Sequence, residues 1–139
     1  MKRALICVLS AVLFAVMLVS CRVQETYTVE RISGTYSREN ANGFDHFTIT
    51  LNEDGTYSYF ETMISSHLGM GGYTLEDGIV TLTDSQIPGL YGSHTYTYKF
   101  RCEKGKLIFL ADESDNFMYI NLPDGAEFER RETPTKPTD

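Results

Sequence analysis

The sequence predicts an all-β domain, about eight antiparallel strands in an up-and-down meander that closes into a small barrel. Three observations carry that reading. Short segments alternate apolar and polar residues with a period of two, as in Phe47-Thr48-Ile49-Thr50-Leu51. Turn signals ending in glycine recur between them at hairpin spacing. No periodic segment of helical length stands between strands, which argues against parallel βαβ construction.

Along the chain, Arg22–Arg31 is mostly polar and reads as a tether, although Tyr27 and Val29 could begin a strand. Gly34-Thr35-Tyr36-Ser37 opens the meander. Phe47–Leu51 and Thr56–Phe60 flank Asn52-Glu53-Asp54-Gly55, whose Asp-Gly pair supplies the positive φ of a tight hairpin. Tyr73–Leu75 and Ile79–Thr83 flank Glu76-Asp77-Gly78, and Thr95–Cys102 and Lys106–Ala111 flank Glu103-Lys104-Gly105. Phe117–Leu122 reads as the final strand, followed by Pro123-Asp124-Gly125 and Phe128. Three connections break the rhythm: Glu39–Asp45, Glu61–Gly72, and Asp84–Ser93 with its Pro88-Gly89. The second of these reads as either a helical turn or a continued strand. Past Glu129 the chain has no apolar residue to bury, so a disordered tail is expected.

The first 20 residues are of a different kind. Lys2 and Arg3 precede a charge-free apolar run that closes on Leu18-Val19-Ser20-Cys21, which has the form of a lipobox. Cleavage before Cys21 would leave its thiol to carry diacylglycerol, and a further acyl chain such as palmitate on the new amino terminus would make the anchoring stable. The alternative is an uncleaved signal anchor, since the run is only a little short of a bilayer span. The expected organisation is a signal peptide over 1–20, a lipidated tether over 21–31, a barrel over 32–129 and a tail over 130–139. The expected location is the extracytoplasmic face of the cell membrane.

Composition narrows the partners. The chain has 12 basic and 19 acidic residues, a net charge of −7. Losing Lys2 and Arg3 with the leader makes it −9. Such an excess argues against nucleic acid and against direct adhesion to anionic lipid. Of three cysteines, Cys7 goes with the leader and Cys21 with the lipid, so no internal disulfide can form. Cys102 shares the parity of Tyr96, Tyr98 and Phe100 and is expected to be a buried, inert thiol.

Gly34-Thr35-Tyr36, Phe47–Tyr57, Gly72–Gly78 and Lys106–Phe109 together resemble the lipocalin-like domains of small bacterial lipoproteins, a group whose domains are also appended to membrane regulatory metallopeptidases. The resemblance covers most of Ile32–Phe128 and implies a lipocalin-like barrel. It brings no functional residues with it.

Chemical signatures are sparse. His46, His67 and His94 lie in or beside loops without the i+2 or i+4 companions of a metal site. Asp112-Glu113-Ser114-Asp115-Asn116 offers oxygen ligands but lacks the glycine turn and distal glutamate of an EF-hand. Ser65-Ser66-His67 has no nucleophile elbow around it. No enzyme, metal or cofactor is therefore expected. The expected function is non-catalytic binding of a small amphiphilic ligand, at a mouth lined by Tyr59, Met63, Met70, Tyr73, Tyr91, Tyr96 and Tyr98 and framed by the Met63–Gly72 and Ile87–His94 loops. The rival expectation is an interaction, inhibitory or sensory module meeting a cell-surface protein. A filled lumen with exposed aromatic surface would favour the rival.

Overall fold

The computed structural model describes residues 26–39, 46–62, 67–84 and 95–131. Eight strands form one closed antiparallel barrel in sequence order: β1 (Gly34–Glu39), β2 (His46–Leu51), β3 (Thr56–Phe60), β4 (Leu68–Glu76), β5 (Ile79–Asp84), β6 (Tyr96–Glu103), β7 (Lys106–Phe109) and β8 (Glu127–Arg130). β8 closes the ring by pairing with both β7 and β1. The predicted all-β, up-and-down, eight-stranded barrel is what the chain forms. The lipobox and Cys21 lie outside the described residues.

The two ends of the barrel differ. At one end lie the tight turns. Asp77 and Gly78 take φ of 50° and 76°, and Lys104 and Gly105 take 49° and 77°, the left-handed pair that lets a two-residue hairpin follow the strand twist. Asn52–Gly55 turns at the same end, where Asp54 Oδ1 accepts from Thr56 N at 2.9 Å. A four-residue helical turn, α1 (Val29–Ile32), packs here with Ile32 buried, and Tyr36 Oη donates to the Ile32 carbonyl at 2.7 Å. All of this turn but Ile32 lies in the stretch read as tether. Thr28 caps it and Ile32 has core to bury, so it folds against the barrel. Every longer connection, β1–β2, β3–β4, β5–β6 and β7–β8, falls at the opposite end.

One open alternative is decided and two boundaries differ from the sequence reading. β4 begins at Leu68, so Leu68–Gly72 continues the strand. Gly69 and Gly71 sit opposite Tyr59 and Tyr57, and a Cβ at Gly69 would lie 2.2 Å from the Tyr59 ring. The missing side chains make room for aromatic rings from the neighbouring strand. Phe117–Leu122 is not a strand, because β8 already occupies the free edges of β7 and β1. Arg130 and Arg131, assigned to the tail, belong to the barrel: Arg130 ends β8, and Arg131 N donates to Thr35 O at 2.8 Å.

β6 outruns its four-residue partner β7, and the surplus is taken up by the segment that follows. Leu110 N donates to Lys99 O at 3.0 Å, Asp115 N to Thr97 O at 2.8 Å, and Thr97 N to Asp115 Oδ2 at 2.7 Å. Backbone groups that would otherwise form a sheet edge are thereby satisfied. Asp115 thus serves β6. Glu113 meets Lys99 Nζ at 2.9 Å, so the acidic tip works as structural bonding.

Candidate functional site: a plugged barrel mouth and a cationic cleft

An eight-stranded barrel is just wide enough for its own side chains to fill. Here Phe47, Tyr59, Tyr98, Phe100, Phe109 and Phe128 point inward and are almost wholly buried. From the β7–β8 connection Phe117 drops into the loop-bearing mouth. Its ring stacks on Tyr98 with centroids 4.0 Å apart and planes 8° apart, and it meets Phe47 and Tyr59 edge-on at 4.8 and 5.2 Å. These are favoured aromatic geometries, and the ring fills the space between its three neighbours.

One buried carboxyl group holds this plug. Glu61, at the end of β3, is 0% exposed and accepts from three successive backbone amides: Met118 N at 3.2 Å, Tyr119 N at 2.7 Å and Ile120 N at 3.1 Å. A segment that lacks a strand partner finds its acceptors in a side chain instead. The plug crosses the mouth from the β6–β7 side to the β3–β4 side, where the Tyr119 ring lies 5.9 Å from that of His67.

Five of the seven residues expected at a ligand-lined mouth fall among the described residues, and of these Tyr59 and Tyr98 meet edge-on with centroids 5.7 Å apart. Tyr59 and Tyr98 are core residues, 2% and 3% exposed. Tyr59 Oη donates to the buried Asp84 Oδ2 at 3.4 Å. Tyr73 is buried near the tight-turn end, where its Oη donates to Asn52 O at 2.7 Å. Tyr96 is half-buried at the start of β6, and Met70 points outward from β4. Met63 and Tyr91 lie outside the described residues, as do most of the two loops expected to frame the mouth. Burial raises the Tyr98 phenol to about 12 and pushes those of Tyr57 and Tyr59 up as well, so these rings stay neutral.

Among the described residues, large apolar side chains are exposed at this end. Leu68, Met70, Met118 and Tyr119 are 51%, 41%, 51% and 54% exposed. Phe60, the register partner of Leu68, shares that outer face and is half-buried. Glu61 and Phe117, which decide the mouth's character, carry no sequence motif. The nearest signal is an acidic residue ending an aromatic strand.

At the tight-turn end a cleft of about 310 Å³ opens between α1 and the β6–β7 turn. Tyr27, Ile32, Tyr36 and Cys102 form its floor, and Arg31, Lys104, Lys106 and Arg130 its rim. Burial raises the Cys102 thiol to about 11 and the Tyr36 phenol to about 12, the latter opposed by the charge of Arg130. Cys102 faces inward with Tyr98 and Phe100, a protonated thiol at neutral pH.

Among the described residues no group of three or more His, Cys, Asp or Glu is placed to hold a metal ion, and no helix is long and apolar enough to cross a membrane. His94 lies outside those residues.

No family model, curated protein or solved structure matches this chain.

Proposed function

We propose that the chain is a non-catalytic binding module, displayed on the extracytoplasmic face of the cell membrane by a lipid on Cys21, that engages another cell-surface protein through the loop-bearing end of a lipocalin-like barrel. One observation carries the reading. The lumen is occupied by the chain's own aromatic rings, while Leu68, Met70, Met118 and Tyr119 present apolar surface around the plugged mouth. Large apolar side chains rimming one end of an acidic domain suit a protein contact better than solvent. The anchor geometry agrees. Thr26, five residues after Cys21, lies beside α1 at the tight-turn end, so a lipid on Cys21 would leave the loop-bearing end facing outward.

The test is photo-crosslinking in cells of the native host, with p-benzoylphenylalanine placed at Leu68, at Tyr119, or at Glu103 in the opposite turn. A single adduct of one mass, formed from the first two positions and not from the third, is expected. No adduct at any position, or equal adducts at all three, would rule the surface out.

A further inference from the structure

We infer that the cleft at the tight-turn end binds an oxyanion carried on a short apolar group, the chemistry of an alkyl phosphate or alkyl carboxylate. This site is separate from the loop-bearing surface and does not depend on that surface having a partner.

Charge is the first argument. In a chain of net charge −7, four cations rim one cleft. Lys106 is paired with two carboxylates, its Nζ 2.7 Å from Glu127 and 3.1 Å from Glu129, so it adds no positive charge to the cleft. Arg31, Lys104 and Arg130 form no ion pair among the described residues, and the nearby Glu103 is engaged by Arg101 at 3.5 Å. Three positive charges thus border the cleft without an ion pair among the described residues, which favours an anion in the space between them.

Preorganisation is the second. Arg130 Nη1 donates to the Arg31 carbonyl at 3.0 Å and Nη2 to that of Ser33, so its guanidinium is fixed by neutral acceptors and keeps its full charge. Room for it comes from Gly34, at φ 146°, where a Cβ would lie 2.9 Å from Arg130 Nε. Arg31 Nη1 is held in turn by Thr26 O at 3.3 Å. Each guanidinium has further N–H donors to offer an oxyanion, and one already fixed in place loses little entropy on binding.

The floor selects what the anion is attached to. Ile32, Tyr36 and Cys102 are buried in the core and Tyr27 packs against it, so the space beneath the cations is apolar. A volume of about 310 Å³ sits at the small end of ligand sites and suits a headgroup with a few methylenes. Such a group has two sources, a membrane phospholipid or a soluble metabolite. Cys21 lies five residues before Thr26, at most about 18 Å of extended chain, so a lipidated protein would hold the cleft within reach of headgroups.

Hexyl phosphate titrated into the full-length chain in nonionic detergent, followed by amide shifts in ¹⁵N-labelled protein, tests the inference. Saturable shifts are expected at Arg31, Cys102 and Gly105, with affinity falling about tenfold when Arg31→Gln and Lys104→Gln are combined. Both residues are exposed, so the variant should retain the parent spectrum elsewhere. Lys99→Gln, a cation on another face, should change nothing. Absence of saturable shifts, an unchanged affinity in the double variant, or inorganic phosphate binding as tightly as hexyl phosphate would each overturn the site. Nanodiscs containing phosphatidylglycerol, compared with phosphatidylcholine alone, identify the source. Shifts at the same amides only with the anionic lipid assign the site to membrane headgroups, and shifts with hexyl phosphate alone assign it to a soluble ligand.

Discussion

Replacing Glu61 isolates the latch that keeps the barrel mouth shut. Its carboxyl oxygens accept three backbone N–H groups at 2.7 to 3.2 Å from a fully buried position. Leaving a buried donor unsatisfied costs about 1–3 kcal/mol. Met118 and Tyr119 are more than half exposed, so water can reach their amides once the side chain is gone, while Ile120 N has less access. The total for Glu61→Ala is therefore about 2–4 kcal/mol rather than three full penalties. Glu61→Gln retains one acceptor oxygen, enough for the two bonds now made by Oε2, but turns an NH₂ toward a donor. It should cost about half as much. Urea unfolding followed by circular dichroism at neutral pH gives both values, and native-state hydrogen exchange at residues 118–120 localises them. An alanine variant within about 0.5 kcal/mol of the parent, or amides exchanging no faster than before, would refute the latch.

Phe117→Ala removes a nearly buried ring stacked on Tyr98 and should lower stability by about 3–5 kcal/mol, with faster exchange across the plug. The barrel should also be alkali-sensitive. The native phenols of Tyr36 and Tyr98 titrate at about 12, against about 10 in the unfolded chain. Because the folded state holds these protons more tightly, their contribution is complete below pH 10 and is lost as pH rises toward 12. Urea midpoints should fall steeply between pH 10 and 12, and a tyrosinate signal at 295 nm should rise together with unfolding. Cys102, raised to about 11 by burial, should resist a thiol reagent at pH 8 in the native protein and react at once in urea.

The barrel was legible in the sequence because its signals are local. Alternation in Phe47–Leu51 names the inward face, and Asp77-Gly78 names a hairpin from two residues alone. Features set by a neighbouring strand were not legible. Gly69 and Gly71 carry no side chain to mark an inward face, because the rings that fill their places come from Tyr59 and Tyr57. Phe117–Leu122 is an apolar, aromatic run that reads as a strand, and only the closed ring reveals that no edge is left for it. Parity told which way Tyr59 and Tyr98 point but not that Phe117 would arrive from a loop to fill the space between them. The cationic cleft was equally hidden. Arg31, Lys104 and Arg130 are scattered in an acidic chain, and only barrel closure brings them together.

The contact between Phe117 and Tyr98 decides most directly whether the barrel acts from its surface or through its lumen. Nuclear Overhauser contacts between the two rings can be measured in the full-length chain with and without saturating dodecanoate. The account predicts that ring-to-ring contacts persist unchanged, and that any acyl contacts fall on Tyr27 and Tyr36 at the cleft. Loss of the Phe117–Tyr98 contacts, with acyl protons appearing beside Tyr98 and Tyr59, would contradict it and make the plug a gate to a ligand-binding lumen.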